Sequence, residues 1–228
     1  MTRIDKSPGK IRDMFAEIAP TYDRANRLLS LRLDVIWRRR ALRNLLPAPG
    51  RVLDLASGTG DLALELCRLG HEAVSADFTL EMMLAGREKV ARRGIPQITA
   101  DALALPFAAG SFDAITVAFG IRNFQDPLVA LEEMKRVIRP GGRVMILELS
   151  NPSGILARPY AWYFGAILPR LGGLISGSPS AYRYLPTSVG DFPQGERFLA
   201  LMRDAGFVEA SAVKLSGGIA TIYLGETP

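Results

Sequence analysis

The stretch VAFGIRNFQDP, residues 117 to 127, sets a guanidinium and an amide, Arg122 and Asn123, at the end of an apolar run. A cation at a strand tip can stabilise a developing anion, and an amide beside it can orient a ring or a water. Three other strand-like segments end in groups of comparable use. RVLDLA runs into the turn SGTGD, where Gly58 and Gly60 allow a sharp reversal and close approach of backbone to a ligand. HEAVSAD ends in Asp77, an acid able to accept both hydroxyls of a ribose, and PQIT leads to Asp101 and Ala102, a carboxylate and an amide that could meet an adenine edge. Ligands of open α/β sheets bind beyond the carboxyl ends of the strands, so these tips together describe a nucleoside pocket.

The elements carrying these tips alternate. After the strand at 51 comes a helix with Leu62, Leu66 and Leu69 at helical spacing, and HEAVSAD is followed by the helix LEMMLAGREKVARR. PLVALEEMKRVI opens with proline in its first turn, and GGRVMILELS is a strand introduced by the turn Pro140, Gly141, Gly142. Alternation of this kind means a parallel sheet covered on both faces. Residues 151–193, rich in Gly, Pro and aromatics, read as a helical cover, and the end of the chain as a helix and a hairpin turning at Ser216, Gly217 and Gly218.

Composition narrows the function classes. The 228 residues, 48% hydrophobic, suit one domain with one substantial core. One cysteine allows no intramolecular disulfide and no Cys-rich metal site, and Cys67 among leucines reads as a small buried thiol. The segment MTRIDKSPGKIRDMF lacks a secretory apolar stretch, so a cytoplasmic location is expected. Residues 155–175 approach the length of a bilayer span, yet Arg158, Pro159, Pro169 and Arg170 argue against one. The formal charge of +5 is concentrated near the start in Arg32, Arg38, Arg39, Arg40 and Arg43, either a solvated helix face or a patch for an anionic surface.

Two cofactors compete for the pocket. GTGDLA satisfies the dinucleotide fingerprint GxGxxA, with Asp77 17 residues past Gly60, as a nicotinamide oxidoreductase would have it. Asp54 inside its strand, the DALALPFAAGSFD segment and the terminal hairpin belong instead to methyltransferases of the Rossmann-like class I fold, whose seventh strand runs antiparallel. They favour S-adenosylmethionine. A non-catalytic nucleoside- or RNA-binding module is a third reading, without the interleaved aromatics of a stacking platform, so no nucleic-acid partner is expected.

YDRANRLLSLRLDVIW (22–37), LDLASGTGD (53–61), FGIRN (119–123), RVIRPGGRVMILELS (136–150) and SAYRYLPTSV (180–189) resemble, in order and across nearly the whole chain, the quinone C-methyltransferases of menaquinone and ubiquinone biosynthesis. Departures are Ala25 for a methionine, Asp34 where relatives can carry His, and Ala118 where some have Ser, a lost hydroxyl contact to the cofactor. The resemblance implies a single domain over 1–228, with a helical lid (1–46), a core binding S-adenosylmethionine (51–150), a substrate cover (151–193) and a C-terminal helix and hairpin (194–228). It implies a seven-stranded, mostly parallel sheet and cofactor contacts from Ser57, Gly58, Thr59, Gly60, Asp77, Phe78, Asp101, Ala102 and Phe119. The activity implied is methylation of a polyprenylated hydroquinone at a ring carbon. Modest length favours 2-demethylmenaquinol, with 2-polyprenyl-6-methoxy-1,4-benzoquinol the alternative, and a homodimer is one option for assembly. No metal is implied.

On this reading Arg122 stabilises the ring phenolate, and Asn123 orients ring or water. Tyr22 and Asn26 close a lid over the sulfonium, and Tyr182, Arg183 and Tyr184 are substrate contacts or anchors of the cover. Structural roles compete: Arg122 could pair with Asp126, and Asn123 could cap the helix opening at Pro127. His71, the sole histidine, opens its strand roughly 20 Å from the ligand end and reads as a surface residue, not a base. The proton acceptor is then a water held by Arg122 and Asn123, or an acid or phenol of the cover. The prenyl tail calls for contact with a bilayer surface, through the arginines and the aromatics Trp162, Tyr163 and Phe164, unless those rings are core.

Overall fold

A computed structural model describes residues 5–43 and 45–228; the parts of the expected lid at 1–4 and at 44 lie outside them. The strands are β1 (Arg51–Leu55), β2 (Glu72–Asp77), β3 (Gln97–Thr99), β4 (Phe112–Ala118), β5 (Ile138–Leu149), β6 (Val208–Leu215) and β7 (Ala220–Glu226). They form one sheet in the order β3-β2-β1-β4-β5-β7-β6. The neighbours from β3 through β5 pair in parallel, and β7 runs antiparallel to both β5 and β6, as expected of the reversed hairpin strand. The chain order reverses direction between β1 and β4, which opens the crevice where such sheets hold ligands.

Helices α1 (Pro8–Ile18), α2 (Tyr22–Leu29) and α3 (Leu33–Leu42) precede the sheet. Helices α4 (Asp61–Arg68), α5 (Leu80–Ala91) and α6 (Pro127–Val137) follow β1, β2 and β4. The cover holds α7 (Ala157–Trp162), α8 (Leu168–Ser176) and α9 (Pro179–Asp191), and α10 (Glu196–Asp204) leads to the hairpin. Both faces of the sheet are buried, and the period of two sorts their side chains. Leu53, Ile115, Val144 and Ile146 pack with Leu131 and Met134 of α6 and Phe198 of α10. Val52, Ala114, Met145 and Leu147 pack with Trp37 of α3, Leu62 and Leu66 of α4, and Val90 of α5. A third core joins lid to cover without the sheet's centre: Ile18, Ala25 and Leu29 meet Phe164, Leu168, Tyr182 and Val189.

Two local expectations need correction. Strand β5 begins at Ile138, paired with Phe112, and the Pro-Gly-Gly segment bulges out before pairing resumes at Arg143 and Ala114. Gly142 permits the bulge, since a Cβ there would lie 2.7 Å from the Asp113 carbonyl oxygen. His71 is buried rather than on the surface, because its Nδ1 accepts the Gly50 backbone N–H at 3.2 Å where β1 begins.

The glycine turn after β1 is held by α5 at one point of backbone contact. A Cβ on Gly86 would sit 2.1 Å from the Thr59 carbonyl oxygen. Alanine's helix propensity favours Gly86→Ala by up to about 1 kcal/mol, whereas forcing the helix off a rigid backbone costs about 1–3 kcal/mol. Gly86→Ala should therefore lower the thermal midpoint and weaken cofactor binding; a raised midpoint in a thermal melt would contradict this packing.

Candidate active site

The tips of β1 and β4 approach closely and bend sharply. Ala56 (φ 53) and Phe119 (φ 62) both take left-handed backbone conformations, uncommon for residues with a Cβ and costly for a bulky one. Between them Gly120 leaves no room, for a Cβ there would lie 2.5 Å from that of Ala56. Asp77, at the tip of β2, binds the glycine turn to the start of α5: one oxygen accepts the Gly58 N–H and the other the Thr79 N–H, each at 2.7 Å. An acid there thus has a structural task that spacing alone did not reveal. Burial pushes its carboxyl up, against the pull of those backbone donors.

A cavity of about 110 Å³ opens over these tips, far larger than the roughly 10–15 Å³ that one water occupies. Asp77, Phe78, Asp101, Ala102 and Phe119 line it, together with Gly58, Met82 and Leu103, and Phe15 and Tyr22 of the lid close it. Ser57 and Thr59 face instead a small recess beside it, shared with Asp54, Arg38 and Asp61. Gly60 lines neither; its left-handed conformation (φ 84) opens α4, and a Cβ would meet Val90 at 2.4 Å. Asp77 lines the cavity where ribose hydroxyls would lie, the walls are apolar enough for a base, and the recess offers both signs of charge to an amino-acid end. The residues present therefore fit S-adenosylmethionine.

A second cavity, of about 280 Å³, lies on the lid and cover side. Tyr22 and Phe119 belong to the walls of both, so the two spaces meet across them. Asn26, Arg122, Tyr160, Tyr163 and Tyr182 belong to its polar lining, with Ser30 and the Asp34–Arg38 pair. Arg122, in the turn Ile121–Asn123, is buried, and its partner is Glu148 on β5, not Asp126. Nη1 donates to Glu148 Oε1 at 2.7 Å and to the Phe119 carbonyl, while Nε finds no acceptor among the described residues. Asp126 is itself the cap of α6, accepting from Leu128 and Val129, which leaves Asn123 out of that role. Asn123 lines the cofactor-side cavity, and its Oδ1 accepts the Tyr184 hydroxyl at 3.1 Å. Arg183 is exposed on the far side of α9, beside Arg170 in a separate surface cleft, and does not line the substrate cavity.

Charges fasten the lid. Lys89 of α5 bonds Asp23 of α2 and Asp61 of α4, both at 2.6 Å, and Arg27 of α2 reaches Asp61 at 3.1 Å. Arg38, grouped by sequence with an exposed basic cluster, is buried against Asp34 at 2.6 Å and lies over the Phe119 ring at 5.4 Å. Its i,i+4 spacing from Asp34 was the available signal. Among the described residues no cluster of three or more His, Cys, Asp or Glu could hold a metal ion.

Asp54 is a strongly perturbed carboxyl. Burial, with the nearby Asp77 charge, raises it to about 7 against the Thr116 hydroxyl, a backbone donor and Arg38, and its Oδ2 has no partner among the described residues. Below about pH 4 it is protonated in both folded and unfolded chains. Between about pH 4 and 7 only the unfolded chain releases the proton, so this group's contribution to stability falls as pH rises and is lost above 7. In the cofactor-free protein, Asp54→Asn should remove that slope. Denaturant melts at about pH 4.5 and 7.5 should show the variant gaining on wild type by on the order of 1–4 kcal/mol, and a pH-independent difference would refute the assignment.

The family described as the ubiE/COQ5 methyltransferase family matches residues 2–227. A demethylmenaquinone methyltransferase of Thermus thermophilus is 51% identical over 221 residues, covering 94% of this chain and 100% of that protein. A ubiquinone/menaquinone biosynthesis C-methyltransferase UbiE of Geobacter sulfurreducens is 47% identical over 237 aligned residues, covering 99% and 91%. Among solved structures, an S-adenosylmethionine-dependent methyltransferase of Thermotoga maritima matches with a TM-score of 0.69 at 22% identity, over 95% of this chain and 99% of that one, a likeness of fold. These matches and the reversed β7 decide the choice of cofactor for S-adenosylmethionine over a dinucleotide. The chain belongs to the ubiE/COQ5 methyltransferase family.

Proposed function

We propose that the protein methylates a ring carbon of a polyprenylated hydroquinone, converting 2-demethylmenaquinol to menaquinol. The observation that carries this reading is the meeting of two cavities at Tyr22 and Phe119, with a buried guanidinium on the substrate side. When bound, S-adenosylmethionine supplies an electrophilic methyl group. Asp77 and the apolar walls around Phe78 and Ala102 hold its nucleoside, and the recess at Asp54 and Arg38 its charged end.

The ring carbon becomes nucleophilic when the neighbouring hydroxyl loses its proton. A hydroquinone hydroxyl titrates near the tyrosine value of about 10, and an adjacent cation lowers such a value by roughly 1–3 units. Glu148 already shares the Arg122 charge through Nη1, so the help available at Nε belongs at the lower end of that range. Asn123 faces the cofactor side and holds α9 through Tyr184, which makes it a positioning residue rather than a partner of the ring. Tyr22 and Phe119 separate the two ligands, and Tyr182 and Asn26 line the space for the ring. The Geobacter relative's name covers both quinone pathways, which keeps the benzoquinol as a second substrate to assay.

Arg122→Ala would leave Glu148 as a buried, unpaired charge, a loss of about 3–5 kcal/mol that confuses chemistry with folding. Arg122→Lys retains a charge for Glu148 and deletes the Nε donor. It should lower turnover of reduced demethylmenaquinone about 10- to 100-fold at unchanged cofactor affinity, the range of a charge-assisted hydrogen bond of about 1.5–3 kcal/mol. Turnover at the wild-type level would end the role given to Arg122. Assay of wild type with both reduced precursors, demethylmenaquinol and the methoxybenzoquinol, tests the substrate itself.

The prenyl tail leaves the cavity where α2 turns into α3. Leu31 lines the cavity yet is 80% exposed, and Leu28 and Trp162 are 60% and 66% exposed, with Arg24, Arg32 and Arg158 also at the surface. Among the described residues no helix is long and apolar enough to cross a membrane. The face therefore serves to touch a bilayer, by apolar side chains and basic charge together. Anionic liposomes should co-sediment the protein at low salt and lose Leu31→Glu; equal pelleting of the two proteins, or none of either, would count against it.

A further inference from the structure

Four buried side-chain polar atoms lack a protein partner among the described residues: Asp54 Oδ2, Arg122 Nε and the hydroxyls of Tyr160 and Tyr182. Asp54 borders the cofactor recess, and the other three residues line the substrate cavity. A buried hydroxyl left without a partner carries its full desolvation cost, which a protein recovers when a ligand arrives. The tyrosines divide accordingly. Tyr163 donates to the Leu29 carbonyl, Tyr184 to Asn123, and Tyr223 accepts from the Gly195 N–H. Tyr182 lies near Ser176, whose hydroxyl already donates to the Gly172 carbonyl and accepts from Ser178. Tyr160 has no such neighbour for its hydroxyl, although its ring is fixed by stacking on Phe164 at 4.8 Å and 21°.

We propose that Tyr160 is a substrate ligand: its hydroxyl donates to the same ring oxygen that Arg122 Nε addresses, and the two donors together hold the phenolate. This rests on the hydroquinone reading above and adds to it a residue from the cover. The Arg122 charge is felt at the Tyr160 hydroxyl, and both residues line this cavity. Burial pushes the Tyr160 hydroxyl well above the ordinary tyrosine range, which keeps its proton in place as a donor when the substrate's proton leaves. A rigid ring carrying an unpartnered hydroxyl is preorganised, and the oxygen it meets gains charge as the ring ionises, so the contact strengthens on the way to methyl transfer.

Tyr160→Phe removes one oxygen and preserves the stacking. In the folded protein it should lower kcat/KM for the hydroquinone at least about tenfold and move the acid limb of the pH–rate profile upward. Adenosylmethionine affinity should be unchanged, and the thermal midpoint equal or higher, because an unpaired buried hydroxyl is gone. A kcat/KM within twofold of wild type, or a loss matched by a lower midpoint and weaker cofactor binding, would overturn the proposal. Wild-type turnover measured in the same series separates the two claims. Absence of turnover with either reduced quinone removes the substrate reading, while wild-type turnover with an equally active variant removes only Tyr160.

Discussion

The ion pair between Arg122 and Glu148 fixes the geometry on which the site depends. It bridges the tips of β4 and β5 in the centre of the sheet, with both side chains almost fully buried. Removing two charges from water costs several kcal/mol per ion, and an apolar pair of the same volume is often as stable or more so. What the pair achieves is placement. Glu148 also accepts the Arg122 and Leu149 backbone N–H groups, so the carboxylate holds the turn as well as the guanidinium. The Phe119 carbonyl takes a further bond from Nη1, which ties the left-handed bend at Phe119 to the same anchor. With Nη1 so occupied, Nε is left buried without a partner in a residue that lines the cavity.

Much of this fold was legible because strand and helix periods alternate cleanly from residue 51, and because the reversed last strand is announced by a Ser-Gly-Gly turn. The glycine turn, Asp77, Asp101 and Arg122 were legible as strand tips, and all but Gly60 border one cavity or the recess beside it. Glu148 escaped notice although the signal existed: an acid inside the apolar run VMILEL needs a partner, and the tip of the adjacent strand offered one. Tyr160 was hidden differently. The cover has little periodicity, with prolines, glycines and a π-helical turn over Tyr163–Ile167, so nothing local says which of its aromatics face inward. Arg183 illustrates the same limit, since its neighbour Tyr182 points into the core and helical rotation sends Arg183 to solvent.

Apolar packing and charge divide the labour of closing the site. The lid meets the cover through a core of its own, Ala25 and Leu29 against Phe164 and Tyr182, and meets the nucleotide half through Trp37, Ala41 and Leu42 packed on Leu62 and Leu66 and through the ion pairs of Lys89 and Arg27. The first contact is dry and insensitive to salt. The ion pairs are partly exposed and screened by it, with a smaller contribution per pair. Lid and cover therefore share one apolar core, while the lid is seated on α4 and α5 by apolar packing and charge together.

The shared wall of Tyr22 and Phe119 has a kinetic meaning. Tyr22 stands on the lid, and the same helix roofs both the nucleoside and the ring, so lifting it to exchange one ligand unseals the other. A displacement of that one helix would open both spaces at once, so access to the one is coupled to access to the other through a single tyrosine.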